Sequence, residues 1–207
     1  MAHCKASLLA ACALLSLGAA AFAGTAEAAQ PPKAETAMPD AFLHAAEASE
    51  FSTKEQAETF LIKTLPLATA GNPKYRGENG VLTQWLTREV VFGPGALSNG
   101  ISVAMKEDIL EFRDGRQTAT GSHDVSFFIE DVRISELTDG TDLTENGDKA
   151  FGVIFRCDAG KCIHAKWNGV STPSDWSDIS IQDKTMRLKV LAAFQALKRF
   201  AGDRGKL

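Results

Sequence analysis

Two cysteines, Cys157 and Cys162, lie within a segment of alternating apolar residues, and this pair constrains the fold more than any other feature of the chain. Before the loop, Phe151, Val153 and Phe155 share one face with Cys157. The four intervening residues, Asp-Ala-Gly-Lys, suit a hairpin loop, which would place the two cysteines opposite each other at disulfide distance. The segment therefore predicts a disulfide-tied β-hairpin.

The register of this hairpin makes further predictions. It places Trp167 opposite Gly152 and Phe155 opposite His164. Cys157, Cys162 and His164 do not match a familiar zinc spacing, and no Cys-x-x-Cys motif indicates redox activity. The sequence thus predicts a structural disulfide, with no metal and no cofactor.

The first residues of the chain have the pattern of a secretory signal peptide. Lys5 precedes an uncharged apolar run at 6–22, and Ala21-Phe22-Ala23 is a small-x-small cleavage site. We expect a signal peptide at 1–23, with a second cleavage site that would extend it to 28. The alternatives are a retained anchor and a lipid anchor on Cys12. The mature protein is predicted to be periplasmic or secreted, a compartment that favours disulfides.

Length and charge limit what the mature chain can be. Removing 23 of the 207 residues leaves enough chain for one domain with its own core. We expect a flexible, Ala- and Pro-rich lead-in at 24–39 and a single domain at 40–207. The formal net charge is −4, and loss of Lys5 makes it more negative, which argues against nucleic-acid binding.

Helical signals occur at both ends of the predicted domain. A helical segment is predicted at 40–50, and Ser52 with Glu55 forms a capping box before a second helix, which Pro66 would bend or end. Near the C-terminus, Asp183 is a suitable N-cap for an amphipathic helix that Gly202 would end. The apolar stripe of this helix predicts that Phe194 and Leu197 are buried against the sheet.

The central part of the chain has the alternation and turn residues of β-strands. Asp114-Gly115 is its strongest hairpin signal, whereas Asn168-Gly169 and Pro173 predict a break in the chain. The predicted strands cover 81–92, 101–105, 109–113, 116–120, 125–134, the two arms of the cysteine hairpin, and 179–181.

These elements predict an α+β fold: an N-terminal helix, a curled antiparallel sheet of about seven strands, and a C-terminal amphipathic helix. This element order resembles the pleckstrin-homology-like architecture. The last fifty residues, with a cysteine-tied hairpin before the helix DKTMRLKVLAAFQAL, resemble the C-terminal parts of uncharacterised exported proteobacterial proteins. The resemblance covers about a quarter of the chain and implies no activity.

No local motif indicates catalysis. Ser122-His123-Asp124 contains residue types of hydrolases, but sequence neighbours do not form a triad, so His123 is predicted to lie in a turn. His164 is predicted to be a packed or surface-edge histidine. We expect an exported binding or accessory module of unknown ligand, and the alternative is a hydrolase with a dispersed site. A deep pocket with two or more acids, or His123 beside an acid, would favour the enzyme.

Two charged segments suggest where a partner would bind. The segment 130–148 is strongly acidic and reads as a solvated loop, with calcium binding as the alternative. The segment 184–207 is strongly basic. The segment is predicted to be the solvated face of the last helix, and the alternative is that Lys189, Lys198 and Arg199 contact an anionic protein or membrane surface.

Overall fold

A computed structural model describes residues 50–77, 80–95, 100–138 and 142–203. The predicted signal peptide, the lead-in at 24–39 and the helical segment predicted at 40–50, up to residue 49, lie outside the described residues. The described residues belong to one compact unit.

The described residues fold into two helices and nine strands. The helices are α1 (Lys54–Ala70) and α2 (Lys184–Asp203), and a short 3-10 helix covers Ile129–Asp131. The strands are β1 (Tyr75–Arg76), β2 (Leu82–Pro94), β3 (Ile101–Arg113), β4 (Arg116–Phe128), β5 (Val132–Leu137), β6 (Gly152–Cys157), β7 (Ile163–Trp167), β8 (Val170–Ser174) and β9 (Trp176–Ser180). The predicted α+β class, with a curled antiparallel sheet between an N-terminal and a C-terminal helix, is confirmed.

Helix α1 starts one residue later than predicted. Its N-cap is Thr53, whose side-chain oxygen accepts a hydrogen bond from the Gln56 backbone N–H at 3.2 Å. The Gln56 side chain accepts from the backbone N–H of Ser52, the residue before the N-cap, at 3.0 Å, so the predicted Ser52–Glu55 capping box is wrong. Pro66 lies inside the helix, which continues to Ala70.

The larger sheet has six strands in the order β1-β2-β3-β4-β7-β8 and curls into a half-barrel. Its three longest strands, β2, β3 and β4, each span 13 residues, so the short strands predicted at 101–105 and 109–113 are one element. Asp114 and Gly115 form the β3–β4 turn with φ of 51° and 74°, as the Asp-Gly signal predicts.

The hairpin predicted between the two cysteines is wrong. Strand β6 pairs with β5 and β9 in a separate three-stranded sheet, whereas β7 pairs with β4 and β8. The Cys157–Cys162 disulfide is present, with a Cα–Cα distance of 5.7 Å, but it joins the two sheets at the corner where the chain crosses between them. Strand β6 carries apolar residues on both faces, and such a strand is buried best in the centre of a sheet with two partners.

The cross-strand neighbours predicted for that hairpin are therefore also wrong. Trp167 lies opposite His123 and Val170, and Gly152 lies opposite Leu137 and Ser180. The actual hairpin is β7–β8, with the turn at 168–169.

The turn that the sequence predicted as a break connects two strands. Asn168 and Gly169 adopt φ of 45° and 91°, as a two-residue hairpin turn requires. Pro173 lies in β8, which is the edge of the six-stranded sheet, where its missing N–H leaves no ladder partner unsatisfied. The sequence consequently missed strand β8.

The hydrophobic core lies between the helices and one end of the sheets. The ring of Phe155 contacts Phe127 at a centroid distance of 4.8 Å and Phe194 at 4.9 Å. Phe194 and Leu197 are fully buried, as the apolar stripe predicts. Asp183 caps α2 by accepting a hydrogen bond from the Met186 N–H at 2.7 Å, which confirms the predicted N-cap. The helix runs past the predicted stop at Gly202 to Asp203.

Candidate functional site

The end of the half-barrel away from this core contains a cavity of about 480 Å³. Its wall includes residues of seven strands, which are β1–β4 and β7–β9, and of the loop before β6. All three tryptophans of the chain line it: Trp85, Trp167 and Trp176. A cavity of this size, with aromatic walls and a few polar groups, has the character of a small-molecule site.

Four residues form one row across the inner face of the sheet. Thr87 on β2 lies opposite Glu107 on β3, Glu107 lies opposite His123 on β4, and His123 lies opposite Trp167 on β7. Directly opposed side chains on one sheet face are in contact range. The row lies on the same face of the sheet as the buried residues Met105 and Val125. Glu107 and His123 therefore occupy inward positions where strand alternation predicts apolar core residues.

A β-bulge in β2 brings Thr87 into this row. The register shifts between Thr87 and Glu89, which leaves Arg88 as the extra residue. Thr87 and Val90 are both buried, whereas Arg88 and Glu89 between them are exposed. The bulge therefore lets one strand contribute to the cavity at one end and to the core at the other.

His123 and Glu107 form a buried hydrogen-bonded pair. His123 Nδ1 lies 2.9 Å from Glu107 Oε2, and only 7% of His123 and 4% of Glu107 are exposed. The Thr87 hydroxyl donates to Glu107 Oε1 at 3.4 Å, and the Thr87 N–H donates to the Thr69 hydroxyl at 2.8 Å. Because a carboxylate only accepts, Nδ1–H donates to Glu107, and in the neutral form of such an imidazole Nε2 is the proton acceptor. Within the described residues Nε2 has no hydrogen-bond partner.

Aromatic rings fix the orientation of this imidazole. The His123 ring lies 4.4 Å from the Trp167 ring at 33° and 5.5 Å from the Trp85 ring at 86°, measured between centroids. The two indoles meet edge to face at 5.1 Å and 89°, so they form two perpendicular walls. Edge-to-face pairing is a favoured aromatic geometry. Trp167 and Trp176 remain 42% and 50% exposed, and both line the cavity.

Asp178 supplies a second acid to the cavity. Burial, together with the negative charges of Glu107 and Asp142, raises the pKa of Asp178 to about 6, and the nearby His123 opposes this shift. Asp142 lies in the loop before β6, which the Tyr75–Thr144 bridge joins to β1. Three carboxylates therefore share one cavity, and their mutual repulsion disfavours full ionisation.

Tyr75 contributes an unsatisfied hydroxyl. Only 5% of its surface is exposed, and its hydroxyl has no hydrogen-bond partner in the described part of the chain. Burial raises the pKa of Tyr75. The nearby Ser180 side chain lowers this pKa by a smaller amount, although it forms no hydrogen bond with the Tyr75 hydroxyl. The phenol therefore stays protonated at neutral pH and is an unused hydrogen-bond donor on a residue of the cavity wall.

The structure corrects the sequence-based prediction for His123. This residue lies in a strand and not in a turn, and strand alternation turns Ser122 and Asp124 to the opposite face. The sequence also missed Glu107 and Asp178. A detectable signal existed for Glu107, because a carboxylate interrupts the alternating apolar positions of 101–109. His164, in contrast, is exposed, which agrees with the predicted surface-edge position and not with the packed one.

No group of three or more metal-ligating side chains occurs among the described residues. Cys157 and Cys162 are bonded to each other, so they are not available to a zinc ion. The acidic segment includes 139–141, which lie outside the described residues. The part after it folds back on itself, with the Thr144 N–H donating to the Asp148 carbonyl.

The predicted partner surface on α2 is partly used within the molecule. Lys198 donates to the Val132 carbonyl and lies 3.5 Å from Asp158. Lys189 and Arg199 are exposed. Lys198 is nine positions after Lys189, so at about 100° per residue they point to opposite sides of the helix. The binding of an anionic partner by these residues stays a prediction.

A different basic residue of α2 neutralises part of the acidic segment. Arg187 is buried and donates to Glu136 at 2.7 Å, and it also donates to the Ile181 and Gln182 carbonyls. This contact anchors the start of α2 to strand β5.

No helix among the described residues is long and apolar enough to cross a membrane.

Comparisons of the chain with protein-family models, with curated proteins and with solved structures find no match. The resemblance of the C-terminal quarter to exported proteobacterial proteins therefore stays a prediction, as does the likeness in element order to pleckstrin-homology-like domains.

Proposed function

We propose that this protein is a hydrolase in which His123 acts as a general base within the half-barrel cavity. The observation that carries the proposal is the buried Glu107–His123 pair, which leaves His123 Nε2 without a partner in a cavity large enough for a small molecule. A base oriented by a third group is a recurrent arrangement in hydrolytic sites. The cavity meets both conditions that favour an enzyme over a binding module: several acids, and His123 beside one of them.

The proposed reaction uses water as the nucleophile. His123 Nε2 takes a proton from a water molecule as that water attacks an ester or amide carbonyl, and Glu107 stabilises the imidazolium that forms. The imidazolium then returns the proton to the leaving group, so no net proton is consumed by the enzyme. No hydroxyl among the described residues is hydrogen-bonded to His123, which favours water over a serine nucleophile.

Tyr75 is the proposed donor to the developing oxyanion. Its hydroxyl is buried, protonated and unpartnered, so it can form a hydrogen bond in the transition state without first breaking another. Donors of this kind are worth about 10²–10³-fold in turnover. Thr87 supports the base indirectly, because its hydroxyl holds the second oxygen of Glu107.

We also propose that the protein acts after export, in the periplasm or outside the cell. The signal-peptide pattern at 1–23 and the Cys157–Cys162 disulfide support this location, because disulfides persist in oxidising compartments. Mass spectrometry of the exported protein should find an N-terminus after residue 23 or 28. An intact Met1 or a lipid on Cys12 would contradict this.

The catalytic proposal is tested with chromogenic esters and anilides of varied acyl group. We expect turnover that His123→Gln lowers about 10²–10⁴-fold, and that Tyr75→Phe lowers about 10²-fold. His164→Gln is the matched control, because His164 is an exposed histidine on β7 and should leave turnover unchanged. Circular dichroism checks that each variant is folded.

The same variants separate the enzyme from a binding module. A binding module would bind a ligand in the cavity with no turnover of any substrate, and binding would survive His123→Gln. Absence of turnover across the panel, or equal turnover in wild type and His123→Gln, would overturn the hydrolase proposal and favour the module.

A further inference from the structure

The charge of the cavity wall points to the kind of molecule it accepts. Three carboxylates, Glu107, Asp142 and Asp178, line it, and none of the described lining residues is a lysine or an arginine. Among the described lining residues, only His123 has a side chain that can become cationic, and Glu107 already pairs with it. Asp142 and Asp178 therefore leave an uncompensated negative potential, which repels phosphates and carboxylates and attracts cations.

The aromatic walls suit the same class of molecule. The indoles of Trp85 and Trp167 stand at 89° to each other, and Trp176 adds a third indole at the exposed side. The faces of aromatic rings carry negative charge density, and an alkylated ammonium group is bound by several such faces with the apolar surface of its methyl groups in contact. Tryptophan is the strongest of the aromatic residues in this role.

Asp178 gives an independent reason for a positive charge. It faces Glu107 from β3, Asp142 from the loop before β6, and His123 from β4, and two of these three raise the cost of its ionisation. A bound cation would offset the repulsion among the carboxylates, whereas a neutral ligand would leave it unchanged. The cavity is therefore electrostatically better matched to a cation than to a neutral molecule.

We infer that the cavity recognises substrates that carry an alkylated ammonium group, held between the tryptophan walls and the Asp142 and Asp178 carboxylates. This inference rests on the proposed hydrolase, and it assigns the ammonium group to the part of the substrate that does not react. His123 and Tyr75 would act on an ester or amide carbonyl joined to that group.

The first test compares two probes of the same shape on the oxidised protein. Choline and its neutral isostere 3,3-dimethylbutan-1-ol are titrated by calorimetry and by tryptophan fluorescence at pH 7.5. We expect choline to bind at least about tenfold more tightly, which corresponds to about 1.4 kcal/mol. Methyl glucoside is titrated as a second neutral probe. Equal affinity for choline and its isostere would overturn the inference, and so would tighter binding of either neutral probe than of choline.

The second test identifies the carboxylates. Because Asp178 ionises near pH 6, the affinity for choline should rise about tenfold between pH 5 and pH 7.5, with release of a proton on binding at pH 6. Asp178→Asn should abolish this pH dependence and lower affinity at pH 7.5. Asp124→Asn is the matched control, because Asp124 alternates to the outer face of β4 and does not line the cavity. An unchanged pH dependence in Asp178→Asn would contradict the assignment.

The outcomes separate this inference from the proposed function. Choline binding without turnover of any ester or anilide supports the cation site and overturns the hydrolase. Turnover of neutral substrates that His123→Gln abolishes, together with equal affinity for the two probes, supports the hydrolase and overturns the cation site.

Discussion

Replacing His123 by phenylalanine should destabilise the protein strongly, although the change makes the residue more hydrophobic. The imidazole is the closest partner of Glu107, at 2.9 Å, and only 4% of Glu107 is exposed. After the replacement, Glu107 would keep only the Thr87 hydroxyl at 3.4 Å. Leaving a buried carboxylate without its hydrogen-bond donor costs about 1.5–3 kcal/mol, because the desolvated charge loses the contact that replaced water. The adjoining cavity can admit water to Glu107, so we expect the lower end of this range.

The double variant His123→Phe/Glu107→Met should recover most of this loss. Replacing both members of a buried pair by apolar groups of similar size is often neutral or stabilising. The new side chains would pack against Trp85 and Trp167, which already contact the His123 ring. We expect the double variant to unfold within about 1 kcal/mol of wild type, while losing any activity that depends on His123.

Urea unfolding followed by far-UV circular dichroism measures both effects without relying on the tryptophans of the cavity. His164→Phe is the control, since an exposed substitution on β7 should stay within about 0.5 kcal/mol of wild type. The reasoning is refuted if His123→Phe costs less than about 0.5 kcal/mol, or if the two single variants add to give the double variant.

Three further predictions follow from the packing, the disulfide and the acid of the cavity. Phe194→Ala should cost about 3–5 kcal/mol in urea unfolding, because its fully buried ring contacts Phe155 at 4.9 Å; a loss below about 0.5 kcal/mol would mean that α2 is not docked. Replacing Cys157 and Cys162 by serine should cost about 2 kcal/mol or less, since the closed loop is short; two free thiols in the exported wild type would contradict the bond. Asp178 favours its protonated form in the folded state, so its stabilising contribution is present below about pH 4 and is lost as pH rises through about 6. Asp178→Asn should therefore stabilise the protein by about 1–3 kcal/mol at pH 8 and by much less at pH 4, and a pH-independent difference in unfolding free energy would contradict the assigned burial.

The sequence predicted the elements whose signals are local. The cap at Asp183, the apolar stripe through Phe194 and the turn at Asp114 each depend on residues within a few positions of one another, and all three are confirmed. The pairing of β6 depends instead on β5, which precedes it across a long loop, and on β9, which follows β7 and β8 in the chain. Alternation alone could not reveal that a strand apolar on both faces does not pair with the strand that follows it and belongs to a second sheet.

Local sequence patterns could not predict the cavity site for the same reason. Glu107 and His123 are 16 residues apart and meet only because β3 and β4 pair in one particular register. Asp178 comes from the other sheet, and its pKa depends on carboxylates from two further elements. Charged residues at inward positions of long strands are the signal that sequence reading can still use, since such residues need partners that only the fold supplies.

The extra residue in β2 determines where this strand can lose a residue without changing which side chains face inward. Because side chains alternate with period two, deletion of Arg88 would leave Thr87 and Val90 two positions apart, and both would still face the inside of the half-barrel. Deletion of Leu86 would instead make Trp85 and Thr87 neighbours, so one of the two would turn outward. The loss of one codon is therefore compatible with the cavity wall at the bulge, whereas the same loss two positions earlier would remove either an aromatic wall residue or the support of Glu107.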